Sequence, residues 1–68
     1  MRDQVFWRKI ARIANLLADR LHIDAERALD ILYNSRTYIL LANPDSGLQL
    51  QSDDYILCDL LRELEVSN

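Results

Sequence analysis

Between Asp3 and Leu21 the apolar residues recur at intervals of three and four, and this periodicity constrains the fold more than any other feature of the chain. At about 100° per residue, Phe6, Trp7, Ile10, Ala11, Ile13, Ala14, Leu17, Ala18 and Leu21 fall within one arc roughly 160° wide. Gln4, Arg8, Arg12, Asn15, Asp19 and His22 take the opposite side. The spacing predicts a strongly amphipathic helix, about 28 Å long at its usual rise. Its stripe should lie in a core, with Phe6 and Trp7 inside it. Val5 and Leu16 break the pattern, projecting beside Lys9 and Arg20 and away from the stripe. Arg8 and Arg12 stand one turn apart with like charge, which is unfavourable unless an anion lies near.

The remaining segments read as shorter helices. Asp24 is a good N-cap, since its carboxylate can accept from free N–H groups, and a second helix follows from about Ala25 to Asn34. Ala25, Ala28, Leu29, Ile31 and Leu32 share its apolar face, while Glu26, Arg27, Asp30 and Asn34 point away. The run Tyr38-Ile39-Leu40-Leu41-Ala42 is too short for periodicity to decide between helix and strand. Leu and Ala favour a short helix from about Arg36 to Ala42, and Pro44 disfavours helix at Asn43. Asn43-Pro44-Asp45-Ser46-Gly47 is the clearest break. Leu48-Gln49-Leu50-Gln51 alternates and is expected to be extended. Ser52 caps a last helix, with Asp53 and Asp54 in its first turn and Ile56, Leu57, Leu60, Leu61 and Leu64 in its stripe. The expected architecture is all-α, one domain over residues 1–68, a compact bundle of three to four helices with a short extended segment near residues 48–51.

Composition narrows the function. The chain has 68 residues, 50% of them hydrophobic, which is rich for a size at which only about 60% of the unfolded surface is buried. Some apolar surface should therefore stay outside, to be covered by a partner or a second copy. The formal charge of -3 argues against general affinity for phosphate backbones. Residues 1–27 hold six basic and four acidic groups, whereas residues 45–68 hold six acidic groups against Arg62 alone. The two ends either form separate solvated faces or attract one another, within one chain or between chains. A single cysteine, a start without an apolar leader and no apolar run near the ~20 residues of a membrane span point to a cytoplasmic protein without a membrane segment.

The side chains that could carry chemistry are few. His22 reads as the C-terminal residue of the first helix, where positive charge is mildly favoured. Cys58 lies beside the last stripe with no basic neighbour in sequence to lower its pKa, as a half-buried structural thiol would. One Cys and one His cannot fill a zinc site. Asp53 and Asp54 are explained by helix capping, Asp59 adds no motif, and Gly47 alone makes no phosphate loop. No catalytic residue, metal, cofactor or small-molecule ligand is implied. Leu17 to Asp24 could pass for the turn of a helix-turn-helix, but Ala25, Glu26, Arg27 and Asp30 would then face a groove that demands a basic field. The reading is a small non-catalytic helical interaction module, self-associating or binding a protein partner. A helix-turn-helix-like DNA-binding regulator is the alternative. Val5, Leu16, Tyr33 and Tyr55, at or beyond the margins of their apolar faces, are the candidate interface; exposed tyrosines bury area at low entropic cost.

The order of these features carries a resemblance. Leu17-Ala18-Asp19-Arg20-Leu21-His22-Ile23-Asp24-Ala25-Glu26-Arg27-Ala28-Leu29-Asp30-Ile31-Leu32, then Tyr38-Ile39, then Leu48 to Leu61, resembles an uncharacterised family of short bacterial proteins catalogued as domain of unknown function 3791. The likeness spans about residues 6 to 65 and lies in pattern more than in rare motifs. Where family members tend to read Leu-His-Thr, this chain has Leu48-Gln49-Leu50. The resemblance implies a small bacterial domain with an accessory or partner-binding role. Some of those relatives sit beside genes for toxins, so it also admits an antitoxin-like role.

Overall fold

The computed structural model describes the backbone of residues 2–66 and the side chains from Gln4 to Glu65. Four helices follow in order, α1 (Arg2–Leu21), α2 (Ala25–Tyr33), α3 (Arg36–Ala42) and α4 (Asp53–Val66), with two 3-10 turns, Pro44–Ser46 and Leu48–Leu50, between the last two. The all-α expectation holds, with four helices and no strand among the described residues. At about 1.5 Å per residue, α1 runs nearly the whole 32 Å length of the molecule, and the rest of the chain folds against it.

Each break has a local cause. Past Leu21 the chain turns at His22, whose φ of 58° lies in the left-handed region. Ile23 N–H then reaches back to the carbonyl of Ala18 at 3.0 Å, the six-to-one bond of a Schellman turn. His22 is therefore not the last helical residue but the one beyond it, in a conformation that favours glycine. Asp24 caps α2 as expected, its carboxylate accepting from Arg27 N–H at 2.8 Å. α2 stops at Tyr33, one residue short of the expected Asn34, which serves as its C-cap. Ser35 caps α3, accepting from Tyr38 N–H at 3.1 Å while its hydroxyl donates to Leu32 O. Asn43 is extended, as a residue before proline should be, and its side chain accepts from Asp45 N–H.

The segment expected to be extended at residues 48–51 is instead a 3-10 turn over Leu48–Leu50, with only Gln51 extended. It starts from Gly47 at φ 73°, and Leu50 N–H and Gln51 N–H close onto the carbonyls of Gly47 and Leu48. In a strand Leu48 and Leu50 would share a face. Here the three-residue turn separates them, so that Leu48 enters the core at 8% exposure and Leu50 stands out at 85%.

Ile10, Ile13, Ala14 and Leu17 of α1 meet Ala28 and Leu32 of α2, Leu41 of α3, Leu48, and Ile56, Leu57 and Leu60 of α4 in one core. Full burial of a Leu or Ile side chain is worth about 1.5–3 kcal/mol, so this cluster is the main stabilising term. A polar tie crosses it from α4: Glu63 accepts from Arg36 N–H (2.6 Å), Thr37 N–H (3.0 Å) and the Thr37 hydroxyl (2.8 Å). Sequence periodicity places Glu63 just off the stripe of α4, about 20° beyond Ile56. In the structure it is half-buried and serves as a second cap for α3, contributed by another helix.

Candidate interaction surface

The stripe of α1 is wider than the core that it meets. Its buried members, Ile10, Ile13, Ala14 and Leu17, span only roughly 100° of the arc. The overhang lies on one flank, where Trp7 and Ala11 are exposed and Ala18 is half-buried. Trp7 is thus not a core residue: it is 48% exposed, and only Phe6 beside it is partly buried against the core. The reason is topological. The short connection through His22–Asp24 makes α2 double back along this flank, and Ala28 and Leu32 cover part of it while Tyr33 ends beside Trp7.

Four rings meet at that end of the molecule. Phe6 and Trp7 pack edge to face at 5.1 Å, Trp7 and Tyr33 at 6.4 Å, Tyr33 and Tyr38 at 5.1 Å, and Tyr38 closes the circuit on Phe6 at 6.2 Å. Such edge-on pairs add about 0.5–1.5 kcal/mol each beyond burial, which ties the start of α1 to the end of α2 and the start of α3. Tyr33 keeps 44% of its surface exposed in this arrangement.

The other candidate interface residues are exposed but not brought to Tyr33. Val5 and Leu16 lie on the opposite flank of α1, either side of Lys9 and Arg12. Tyr55 follows Asp53 by two helical positions and so points roughly 160° away from it, off the face that α4 turns to α1. Sequence reasoning missed the exposure of Trp7, Ile39 and Leu40, because helical phase alone does not say how wide an arc a neighbour covers, and that of Leu50, because alternation does not encode the 3-10 turn.

Charge attraction between the two ends is realised within the chain. Asp53 receives Lys9 Nζ at 3.0 Å and Arg12 Nε at 2.7 Å, and Lys9 Nζ also donates to Gln51 O at 2.9 Å. The anion that the like-charged pair Arg8 and Arg12 calls for is therefore beside Arg12. The hydrogen bond from Arg12 is the main reason why the Asp53 carboxyl stays below the usual carboxylate range, with Lys9 adding to it against partial burial. For Glu63, burial pushes its pKa up. The N–H of Arg36, the hydroxyl and N–H of Thr37 and the Arg36 charge outweigh it, so that the net shift is downward.

Two shallow depressions accompany these features. One is apolar, lined by Leu21, Leu61, Leu64 and Glu65; the other is polar, lined by Asp24, the N-cap of α2, and by Glu26, Arg27 and Asp30 within that helix. The second carries three acidic groups against one basic group, on the helix that would have to enter a DNA groove and on its N-cap. Cys58 is exposed rather than half-buried, because it falls on the outer side of α4 between Tyr55 and Arg62. Among the described residues no group of three or more His, Cys, Asp or Glu side chains could hold a metal ion, and no helix is long and apolar enough to cross a membrane. Comparison with protein-family models, curated proteins and solved structures finds no match to this chain.

Proposed function

We propose that the chain is a small non-catalytic helical interaction module, which acts by binding a protein partner or a second copy of itself. The observation that carries this reading is the overhang of the α1 stripe. A helix whose apolar arc of roughly 160° finds only about 100° of cover leaves an ordered apolar flank exposed, and such flanks mark interaction sites. The aromatic circuit holds that flank in place with its rings already packed, so little side-chain entropy is lost on association. The acidic rim of α2 weighs against the nucleic-acid alternative, since a phosphate backbone would meet Asp24, Glu26 and Asp30 there. The resemblance to short bacterial proteins supports an accessory role, antitoxin-like among other options, in the cytoplasm. Light scattering of the purified protein together with affinity capture from a bacterial lysate tests the reading. A self-associating chain or a specific, stoichiometric partner is the expected result. A strictly monomeric chain that retains no partner, or one that binds nonspecific DNA with steep salt dependence, would reject it.

A further inference from the structure

We infer that residues 36–51, from α3 through the two 3-10 turns, form a strap that opens and closes as one unit over the core while α1, α2 and α4 stay packed. The inference goes beyond the interaction reading above and does not depend on it.

The strap is bounded by residues that are anchored on its neighbours. Ser35 is tied to the end of α2, its N–H and its hydroxyl both donating to Leu32 O, at 3.1 and 2.5 Å. At the other end Ser52 caps α4, its hydroxyl oxygen accepting from Tyr55 N–H at 3.1 Å, and Asp53 holds the start of α4 to Lys9 and Arg12 of α1. Between these two points the chain is knit to itself. Asn43 N–H donates to Leu40 O, Ser46 N–H to Asn43 O and Leu50 N–H to Gly47 O. The Ser46 hydroxyl is shared between Leu40 O and Asn43 O, and its oxygen accepts from Leu48 N–H at 3.2 Å. These bonds join α3 to both turns and none of them leaves the strap.

The attachments of the strap to the rest of the molecule are concentrated at a few points. At its start Glu63 accepts from Arg36 and Thr37, and the Tyr38 ring packs on Phe6 and Tyr33. In its middle Leu41 and Leu48 enter the core, and at its end Gln51 O accepts from Lys9 Nζ. Ten of its sixteen residues are exposed, Ile39 and Leu50 at 66% and 85%, so most of its surface holds nothing in place. Nine of the eleven core residues lie outside it, which leaves α1, α2 and α4 a shared core when it lifts. Opening therefore gives up two buried leucines where unfolding gives up the whole cluster, and segments with few buried contacts open below the global limit. A seven-residue helix off the core has no stability of its own, so α3 loses its hydrogen bonds in the open state. Lifting the strap bares Leu32 at the end of α2 and Ile56, which lies within about 20° of Glu63 on α4; both are fully buried when it is closed.

Native-state hydrogen exchange on the intact chain, followed amide by amide by NMR, tests this. After correction for intrinsic rates, the amides of Leu41 and Ala42 should exchange at least about ten-fold faster than those of Leu17 and Leu60, with a weaker dependence on urea. Leu48→Ala lies in the second turn, yet it should speed Leu41 and Ala42 in α3 by at least about ten-fold. Asp24→Ala removes a cap outside the strap and should speed Leu17 and Leu60 about five-fold, leaving Leu41 and Ala42 unchanged. One common rate for all four amides, moving together in each variant, overturns the inference, since the domain then opens only as a whole. So does a Leu48→Ala variant that leaves Leu41 and Ala42 unmoved, or an Asp24→Ala variant that speeds them. Fast strap amides in a strictly monomeric chain without a partner keep this inference and remove the interaction reading. A self-associating or partner-bound chain with one common exchange rate does the reverse.

Discussion

Replacing Glu63 by alanine should destabilise the protein by about 2–4 kcal/mol, and the structure says where that comes from. The carboxylate accepts two backbone N–H groups at the start of α3 and the hydroxyl of Thr37, which is itself 3% exposed. Loss of a helix cap costs about 0.5–2 kcal/mol, and leaving a buried hydroxyl without its acceptor costs about 1–3 kcal/mol. Ser35 still caps the same helix through Tyr38 N–H, which is why the sum stays below the simple total. A domain of this size holds about 3–10 kcal/mol in all, so the loss is large enough to move a urea midpoint decisively. The assay is urea unfolding followed by circular dichroism for Glu63→Ala, Thr37→Val and the double variant. A coupling energy of about 1 kcal/mol or more is expected. The pH dependence supplies a second readout. The Glu63 pKa is lowered on folding, so its contribution is fully present above the unfolded-state value and is lost as pH falls through the folded one. Glu63→Gln should therefore flatten the acid limb of the stability curve, leaving the part that belongs to Asp53, whose pKa is also lowered. If Glu63→Ala lies within about 0.5 kcal/mol of the wild type, or if the two sites prove additive, the inter-helix cap is not an energetic feature and the reasoning fails.

Three further outcomes follow from the same structure. His22→Gly should raise stability by about 0.5–1 kcal/mol, since the left-handed turn at φ 58° strains any residue with a Cβ; a lower melting temperature would contradict it. Leu48→Ala should cost about 2–3 kcal/mol and Leu50→Ala less than about 0.5 kcal/mol, and equal losses in chemical denaturation would show that the alternation in this segment is extended after all. Asp53→Asn should lower stability modestly, and about 1 M salt should remove only part of that loss, because Arg12 is exposed while the pair of Asp53 with Lys9 is partly buried; a loss that vanishes completely at high salt would show that the Lys9 contact contributes nothing.

Much of the helical content could be read before any coordinates, for a physical reason. Periodicity, caps and breaks are local properties, settled by residues within about one helical turn of each other. Asp24, Ser52 and Pro44 mark their boundaries through contacts that span two to four positions, and the structure agrees at each. The candidate surface was legible only in part. Val5, Leu16, Tyr33 and Tyr55 are all exposed, but exposure of single residues does not reveal which of them share a face.

What the sequence alone determined is the first, second and last helices, the apolar side of each and the surplus of apolar surface, because these depend on spacing along one strand of chain; for residues 36–42 it set only a preference. What only the tertiary structure decided is how wide an arc each neighbour covers. Packing α2 along one flank of α1 leaves Trp7 and Ala11 uncovered, bringing α4 under α3 turns Glu63 into a cap, and closing the 3-10 turn after Gly47 sends Leu48 inward and Leu50 outward. Each of these depends on residues distant in sequence or on a turn geometry that alternation does not encode, so no local pattern could have carried them.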